Sequence, residues 1–202
     1  ISAERYFGSL WNFNGVLADG RRYFRVKPFT LAVRGLSYTR FGGNENQFNA
    51  DRQSYQVQPF FIVQPWFVRG YPYKFLVNEA PDLLKRSIGS KMGVANFELR
   101  LPFTGPRRLS LIKSNFLITD LNLFLDAGVA VFDWDQLKKN PTDPEPLDGR
   151  DVVQQKPLVS TGFSLRINLF GYLVVEPYWA VPLSAPKEKR RLLFGLNFIP
   201  GW

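Results

Sequence analysis

Leu121-Asn122-Leu123-Phe124-Leu125-Asp126-Ala127 places an aliphatic residue at every second position. The two-residue period returns in Ala95-Asn96-Phe97-Glu98-Leu99-Arg100-Leu101 and in Phe163-Ser164-Leu165-Arg166-Ile167-Asn168-Leu169. Successive side chains of a strand point to opposite faces, so each stretch reads as a strand with one oily face. In a soluble sandwich that face would be the core. The last stretch is Leu192-Leu193-Phe194-Gly195-Leu196-Asn197-Phe198-Ile199-Pro200-Gly201-Trp202, an apolar strand with no later sequence here to cover it. The pattern predicts an all-β protein whose oily face meets lipid, a transmembrane antiparallel β-barrel.

The bulk composition fits. The 202 residues contain no cysteine and no histidine, which excludes disulfides, thiolate metal sites and a Ser-His-Asp triad within the chain. Apolar and polar residues cancel on average, as they do when lipid-facing and inward-facing positions alternate. No run approaches the ~18 apolar residues of a membrane helix. Aromatics make up 16% of the chain, enough for interfacial girdles. The net charge of +9 raises nucleic acid as a partner. The cations sit as Arg21-Arg22, Arg107-Arg108 and Lys187 to Arg191, at expected turns and strand ends, so a rim in contact with acidic headgroups is the better reading. Ile1 to Tyr6 carries neither the basic start nor the apolar core of a signal peptide, whereas such a barrel is exported; further sequence is expected before residue 1.

Seven strands are expected, at about 10–25, 30–41, 93–103, 117–132, 158–169, 172–183 and 191–202. Their connections alternate. Val26-Lys27-Pro28-Phe29, the turn near Thr104-Gly105-Pro106 and Phe170-Gly171 are short, while 42–92, 133–157 and Ser184 to Arg190 are longer. Outer-membrane barrels have short periplasmic turns and longer extracellular loops. By parity Leu121, Leu123, Leu125, Ala127, Val129 and Val131 face lipid, and Asp120, Asn122, Phe124, Asp126 and Gly128 face the lumen. Leu173, Val175, Pro177, Trp179 and Val181 face out, with Glu176 and Tyr178 inward; Pro177 suggests an edge or a bulge. Asp19, Arg21 and Arg22 are expected near the periplasmic rim. Single-chain barrels have an even strand number of at least eight, and an open edge cannot be left in lipid. Glu4 to Asn14 offers thin material for an eighth strand. Residues 1–202 are therefore read as one barrel segment, completed by strands from a preceding segment or from another copy.

Trp66-Phe67-Val68-Arg69-Gly70-Tyr71, inside the long loop, looks like the VRG-aromatic motif of the BamA-type outer-membrane assembly barrels, the bacterial surface antigen family. Val94 to Pro102 is similar to that family's next strand, and Phe124-Leu125-Asp126-Ala127-Gly128 to its aromatic-x-Asp-x-Gly strand. Thr161 to Asn168 followed by Gly171, and the terminal aromatic, resemble its last strands. The resemblance covers roughly residues 15–202, the family's C-terminal half, and is closest to members with a periplasmic β-propeller upstream. It implies a larger barrel of about sixteen strands, with loop 42–92 folded into the lumen and loop 133–157 extracellular. It also implies that Arg69, flanked by Gly70 and Tyr71, meets Glu98 and Asp126 as a lumen lock. It further implies that Leu192, Phe194, Leu196, Phe198 and Trp202 form a C-terminal signal read by assembly machinery. Independently, parity points Glu98 and Asp126 inward on adjacent strands, where a confined charge is costly unless paired and arginine offers a bidentate fork.

Three function classes compete. The first is an assembly or translocation barrel acting in insertion or secretion of proteins at the outer membrane of a Gram-negative bacterium. The second is a passive anchor for an upstream propeller or lipase. The third is a diffusion pore, which a loop folded into the lumen would obstruct. Catalysis has no support: an arginine between Glu98 and Asp126 leaves neither as a proton donor. Asp133, Asp135, Asp143 and Asp148 miss the calcium-loop spacing, so no metal and no cofactor are expected. Expected partners are outer-membrane lipid and lipopolysaccharide, other outer-membrane or periplasmic proteins, and the remaining barrel strands; nucleic acid is not among them.

Overall fold

The computed structural model describes residues 2–6, 13–42, 48–49, 54–55, 57–105, 111–114, 117–137, 155–169 and 173–200. Its main element is one antiparallel sheet of eight strands. These are β1 (Ser2–Tyr6), β2 (Phe13–Val26), β3 (Phe29–Gly42), β4 (Lys91–Gly105), β5 (Leu117–Val131), β6 (Leu158–Leu169), β7 (Leu173–Pro182) and β8 (Leu193–Pro200). Each is hydrogen-bonded to its neighbours in chain order, and among the described residues β1 and β8 remain the two edges. Ile112–Lys113 adds a two-residue parallel bridge to the end of β4. Two six-residue helices, α1 (Tyr73–Asn78) and α2 (Pro81–Arg86), belong to the long connection between β3 and β4. In α2, Pro81 opens the helix, Asp82 sits in its first turn and Lys85 and Arg86 in its last, which suits the helix dipole. Among the described residues no helix is long and apolar enough to cross a membrane, which says nothing of strands.

β1 corrects the expected count of seven. Ser2–Tyr6 pairs with Phe13–Leu17, although its sequence has no oily alternation; backbone hydrogen bonds make it a strand. The chain order sends alternate connections to opposite ends of the sheet, and the two longest leave the same end. Residues 43–90, 132–157 and 183–192 leave one end of the sheet, and 27–28, 106–116 and 170–172 leave the other. Phe170-Gly171, Pro106 and most of 133–157 lie outside the described residues, as do parts of 42–92.

Register defines two faces. On one, Leu31 pairs with Leu99, Leu99 with Leu123, Leu123 with Phe163, Phe163 with Trp179 and Trp179 with Phe194. This is an apolar row across six strands. Phe163 and Trp179 stack at 5.2 Å between ring centroids, and Trp179 meets Phe194 at 5.4 Å. Nothing among the described residues covers this row, and Leu31, Leu99, Leu123, Phe163 and Phe194 are all exposed. The opposite face is covered. Ile62, Val63, Val68, Tyr71, Phe75, Leu76 and Leu83 of the long connection pack on Leu36, Met92, Val94, Ala130 and Leu158 of the sheet.

Two glycines on the covered face act by lacking a side chain. Phe124 lies opposite Gly162, where a Cβ would come within 2.9 Å of the ring. Tyr178 lies opposite Gly195, where a Cβ would come within 2.1 Å of the ring. Each ring lies down over the bare backbone of the next strand.

One expectation about faces and two about position need correction. Val131 has outward parity but is fully buried, because the backbone of Gly89 is laid against it so closely that a Cβ there would sit 2.4 Å from the Val131 carbonyl oxygen. Pro177 is interior, opposite Leu196 of β8, rather than on an edge. The ladder to β6 skips from Ser164↔Tyr178 to Ile167↔Val175 around it, since proline has no N–H to donate. Asp19 is mid-strand on the covered face, held by Arg34 and Arg21, rather than at a rim.

Candidate functional site

The segment carrying Arg69 is pinned on both sides. A turn closes with Phe67 and Val68 N–H donating to the Gln64 carbonyl at 2.9 and 3.1 Å. The Val68 side chain then inserts beside Gly128 of β5, where a Cβ would come within 2.6 Å of it. On the other side Tyr71 is buried, and its hydroxyl donates to the Val159 carbonyl of β6 at 2.5 Å. Gly70 between them has φ +86°, a left-handed conformation, and a Cβ there would lie 2.8 Å from that of Ala180. Both space and backbone therefore require glycine after Arg69. Burial of Tyr71 pushes its phenol up from the ordinary value.

So held, the Arg69 guanidinium enters a group of three carboxylates from three strands. Nε donates to Asp126 Oδ2 at 2.8 Å and Nη2 to Oδ1 at 3.0 Å; the backbone N–H of Arg69 also donates to Oδ2, at 3.2 Å. Nη2 donates to Glu98 Oε1 at 2.9 Å, and Nη1 to Glu176 Oε1 at 3.0 Å. The guanidinium carbon stands 3.7 Å from the centroid of the Phe124 ring, close enough for a cation–π contact. Arg69 is 3% exposed and Asp126 fully buried. Burial alone would lower the Arg69 pKa. The hydrogen bond to Asp126 and the charges of Asp126, Glu98 and Glu176 outweigh it and hold the pKa above the ordinary arginine value.

The carboxylates have further partners. Asn96 Nδ2 bridges the Phe67 carbonyl at 2.7 Å and Asp126 Oδ1 at 2.9 Å. Ser164 Oγ donates to Glu176 Oε1 at 2.7 Å. Arg100 donates to Glu98 Oε2 from Nε and Nη2 at 2.9 and 2.7 Å. Arg166 stands at ion-pair distance from both glutamates, 3.4 Å from Glu98 Oε2 and 3.5 Å from Glu176 Oε2. Arg69, Arg100 and Arg166 thus balance Asp126, Glu98 and Glu176 in charge. A buried ion group of this kind resists losing a member, because the remaining charges stay desolvated; removing one partner costs ~3–5 kcal/mol.

Beside the cluster is a cavity of about 300 Å³ lined by Arg21, Tyr23, Arg34, Trp66, Arg100 and Arg166, among others. Asp19 accepts from Arg34 Nε and Nη2 at 3.0 and 2.9 Å, and Arg34 Nη1 donates to the Trp66 carbonyl at 2.7 Å. This second, more exposed ion pair ties the same loop to β2 and β3.

Arg69, Glu98 and Asp126, the residues read from the sequence, come together with Gly70 and Tyr71 beside them. Glu176 joins as a third carboxylate, and Phe124, Asn96, Ser164, Arg100 and Arg166 complete the group. Parity had placed Glu176 inward, but its strand is two away from β5, and no sequence signal measures a distance across intervening strands. Leu192, Phe194, Leu196 and Phe198 are exposed; the last three lie on β8, beside the strand that carries Glu176 but on the opposite face of the sheet, and Trp202 lies outside the described residues. Asp133 is exposed, while Asp143 and Asp148 and the side chain of Asp135 lie outside the described residues. No family model and no curated protein matches the chain.

Proposed function

We propose that this sheet is part of the wall of an outer-membrane β-barrel of the BamA-like assembly and translocation type. In this reading the bare apolar face meets lipid, the covered face lines the lumen, and Arg69 locks the loop inside. The observation that carries it is the inversion of the two faces. Leucines and phenylalanines stand uncovered across β3 to β8, while Arg69 and three carboxylates are buried on the other side, with Arg100 and Arg166 half-buried beside them. Soluble monomers rarely expose contiguous apolar patches beyond a few hundred Å². A lipid-facing barrel wall is built apolar outward and polar inward. That the two longest connections, 43–90 and 132–157, leave the same end supports an orientation with that end extracellular. The open edges β1 and β8 require further strands in lipid, from a preceding segment or a second copy.

In this reading the protein inserts or secretes other proteins at the outer membrane. Its role rests on the resemblance in Val68-Arg69-Gly70-Tyr71 and the strands that follow. Spin labels at Leu99, Leu123 and Leu165 are expected to report lipid, and labels at Glu98, Asn122 and Arg166 are not. Equal environments on both faces overturn the barrel. Depleting the protein from cells is expected to lower the amount of other folded outer-membrane proteins; unchanged levels overturn the assembly role and leave the anchor.

A further inference from the structure

At the end of the sheet that carries the long connections, the bare face finishes in a cationic turn. Lys187, Lys189, Arg190 and Arg191 stand there with one acid of their own, Glu188. The turn is fastened. Lys189 Nζ donates to the backbone carbonyl of Glu79, Arg191 donates to both Glu79 carboxylate oxygens at 2.6 and 2.7 Å, and Arg190 Nε donates to the Ala185 carbonyl at 2.9 Å. Four cations thus face two acids, Glu79 and Glu188, an excess of two. Lys187 is exposed and makes no side-chain hydrogen bond or ion pair among the described residues. Arg190 is exposed too, and of its guanidinium only Nε has a partner there. The chain then runs straight into Leu192 and Phe194, 53% and 59% exposed, and on to Leu196 and Phe198 on the same face.

A lysine and an arginine with donors to spare among the described residues, leading straight into an uncovered apolar strand, complement a molecule with phosphates above acyl chains. Water would solvate the cations but leave the wall bare; a soluble anion would satisfy the cations alone. We propose that the Lys187–Arg191 turn and the wall below it bind the phosphorylated glycolipid of the outer leaflet. Its phosphates sit on Lys187 and Arg190 and its acyl chains on Leu192, Phe194 and Leu196. This rests on the membrane reading above, and on the long connections being extracellular. A phosphate held by Lys187 and Arg190 is partly desolvated by the acyl chains beneath, so each cation contributes about a fivefold gain in affinity.

The test titrates the full chain, in a zwitterionic detergent, with diphosphorylated lipid A, with its dephosphorylated form and with phosphatidylglycerol. Diphosphorylated lipid A is expected to bind at least tenfold more tightly than the other two. Lys187→Gln with Arg190→Gln, which gives up only the Arg190–Ala185 contact of the fastening, is expected to weaken it about twentyfold, and Lys187→Gln alone, which breaks none of it, about fivefold. Lys27→Gln, at the opposite end, is expected to change nothing. Equal binding of the dephosphorylated lipid, equal binding of phosphatidylglycerol, or an unaffected double variant each overturns the proposal. Spin labels at Leu99 and Glu98 in the same sample separate the two readings. If the faces differ while the lipids are not distinguished, only this site fails; if the faces are alike, the barrel fails with it.

Discussion

Asn122 and Leu123 are consecutive residues of β5 with opposite surroundings: the amide is fully buried and the leucine is 56% exposed. The contrast extends to the two whole faces. Asn96, Glu98, Asp126, Ser160, Ser164, Glu176 and Asn197 are buried, while Phe97, Leu99, Leu125, Phe194 and Phe198 are exposed. Burial of charged groups is tolerable only where they are paired, and the long connection supplies the pairing for Asp126, Glu98 and Glu176 through Arg69. Exposure of a continuous apolar face is tolerable only where water is absent. The two faces therefore set different conditions on one sheet. One needs a partner with charge, carried by the chain itself; the other needs a solvent without it.

The largest expected effect attacks the covered face. Arg69→Ala leaves Asp126, Glu98 and Glu176 without their shared cation and should cost ~3–5 kcal/mol. The loop should loosen first, seen as faster tryptic cleavage at Lys74, Lys85 and Arg86 while the sheet stays folded. Asp126→Asn should act likewise, and the double variant should cost little more than either alone, because both remove one unit. Additive costs would show that the faces are not organised around a single cluster.

Next comes the bare face. Leu123→Arg in lipid vesicles should cost ~2–4 kcal/mol in a denaturant titration, the range for a charge near the middle of a barrel's lipid face. In water such a change at an exposed site would be nearly neutral. A cost near zero would break the comparison. Tyr71→Phe removes one hydrogen bond to Val159 and should cost ~0.5–1.5 kcal/mol, with hydrogen exchange rising in 69–72 alone.

The smallest effect is a pH dependence where the cationic turn docks on α1. Arg191 bonded to Glu79 holds that carboxyl below its ordinary value of 4.5. A depressed carboxylate stabilises above its unfolded pKa and loses that contribution as pH falls through the folded one. The docking should therefore be complete above pH 4.5 and weaken below it, read as rising mobility of a spin label at Glu188. Unchanged mobility down to the acid range would show that Lys189 alone holds the turn.

Strand positions and faces were legible because period two is a local property: Glu98 and Asp126 point the same way from counting alone. Arg69 was picked out by the resemblance of Val68-Arg69-Gly70-Tyr71 to a family motif, since neither period nor composition distinguishes one loop arginine from another. The third carboxylate was not. Glu176 reaches Arg69 only because the sheet brings β7 round to it, and that distance depends on every strand between. Val131 shows the same limit from the other side: its parity is outward, and its burial comes from Gly89, which folds back over the strand end. β1 escaped for want of any oily alternation.

The flattened rings at Gly162 and Gly195 have a consequence for alignment. A strand displaced by two residues keeps its faces, so hydrophobicity does not reject the mistake. Displace β6 by two, and Phe124 meets Ser160 or Ser164 instead of Gly162. Displace β8 by two, and Tyr178 meets Leu193 or Asn197 instead of Gly195. In each case a side chain fills the hollow the ring needs. The two rings thus work like teeth that engage at one setting: the one at Gly162 fixes β6 on β5, a pairing that lies between Asp126 and Glu176, and the one at Gly195 fixes the edge strand β8 on β7. Shape rejects a slip that hydrophobicity alone would accept.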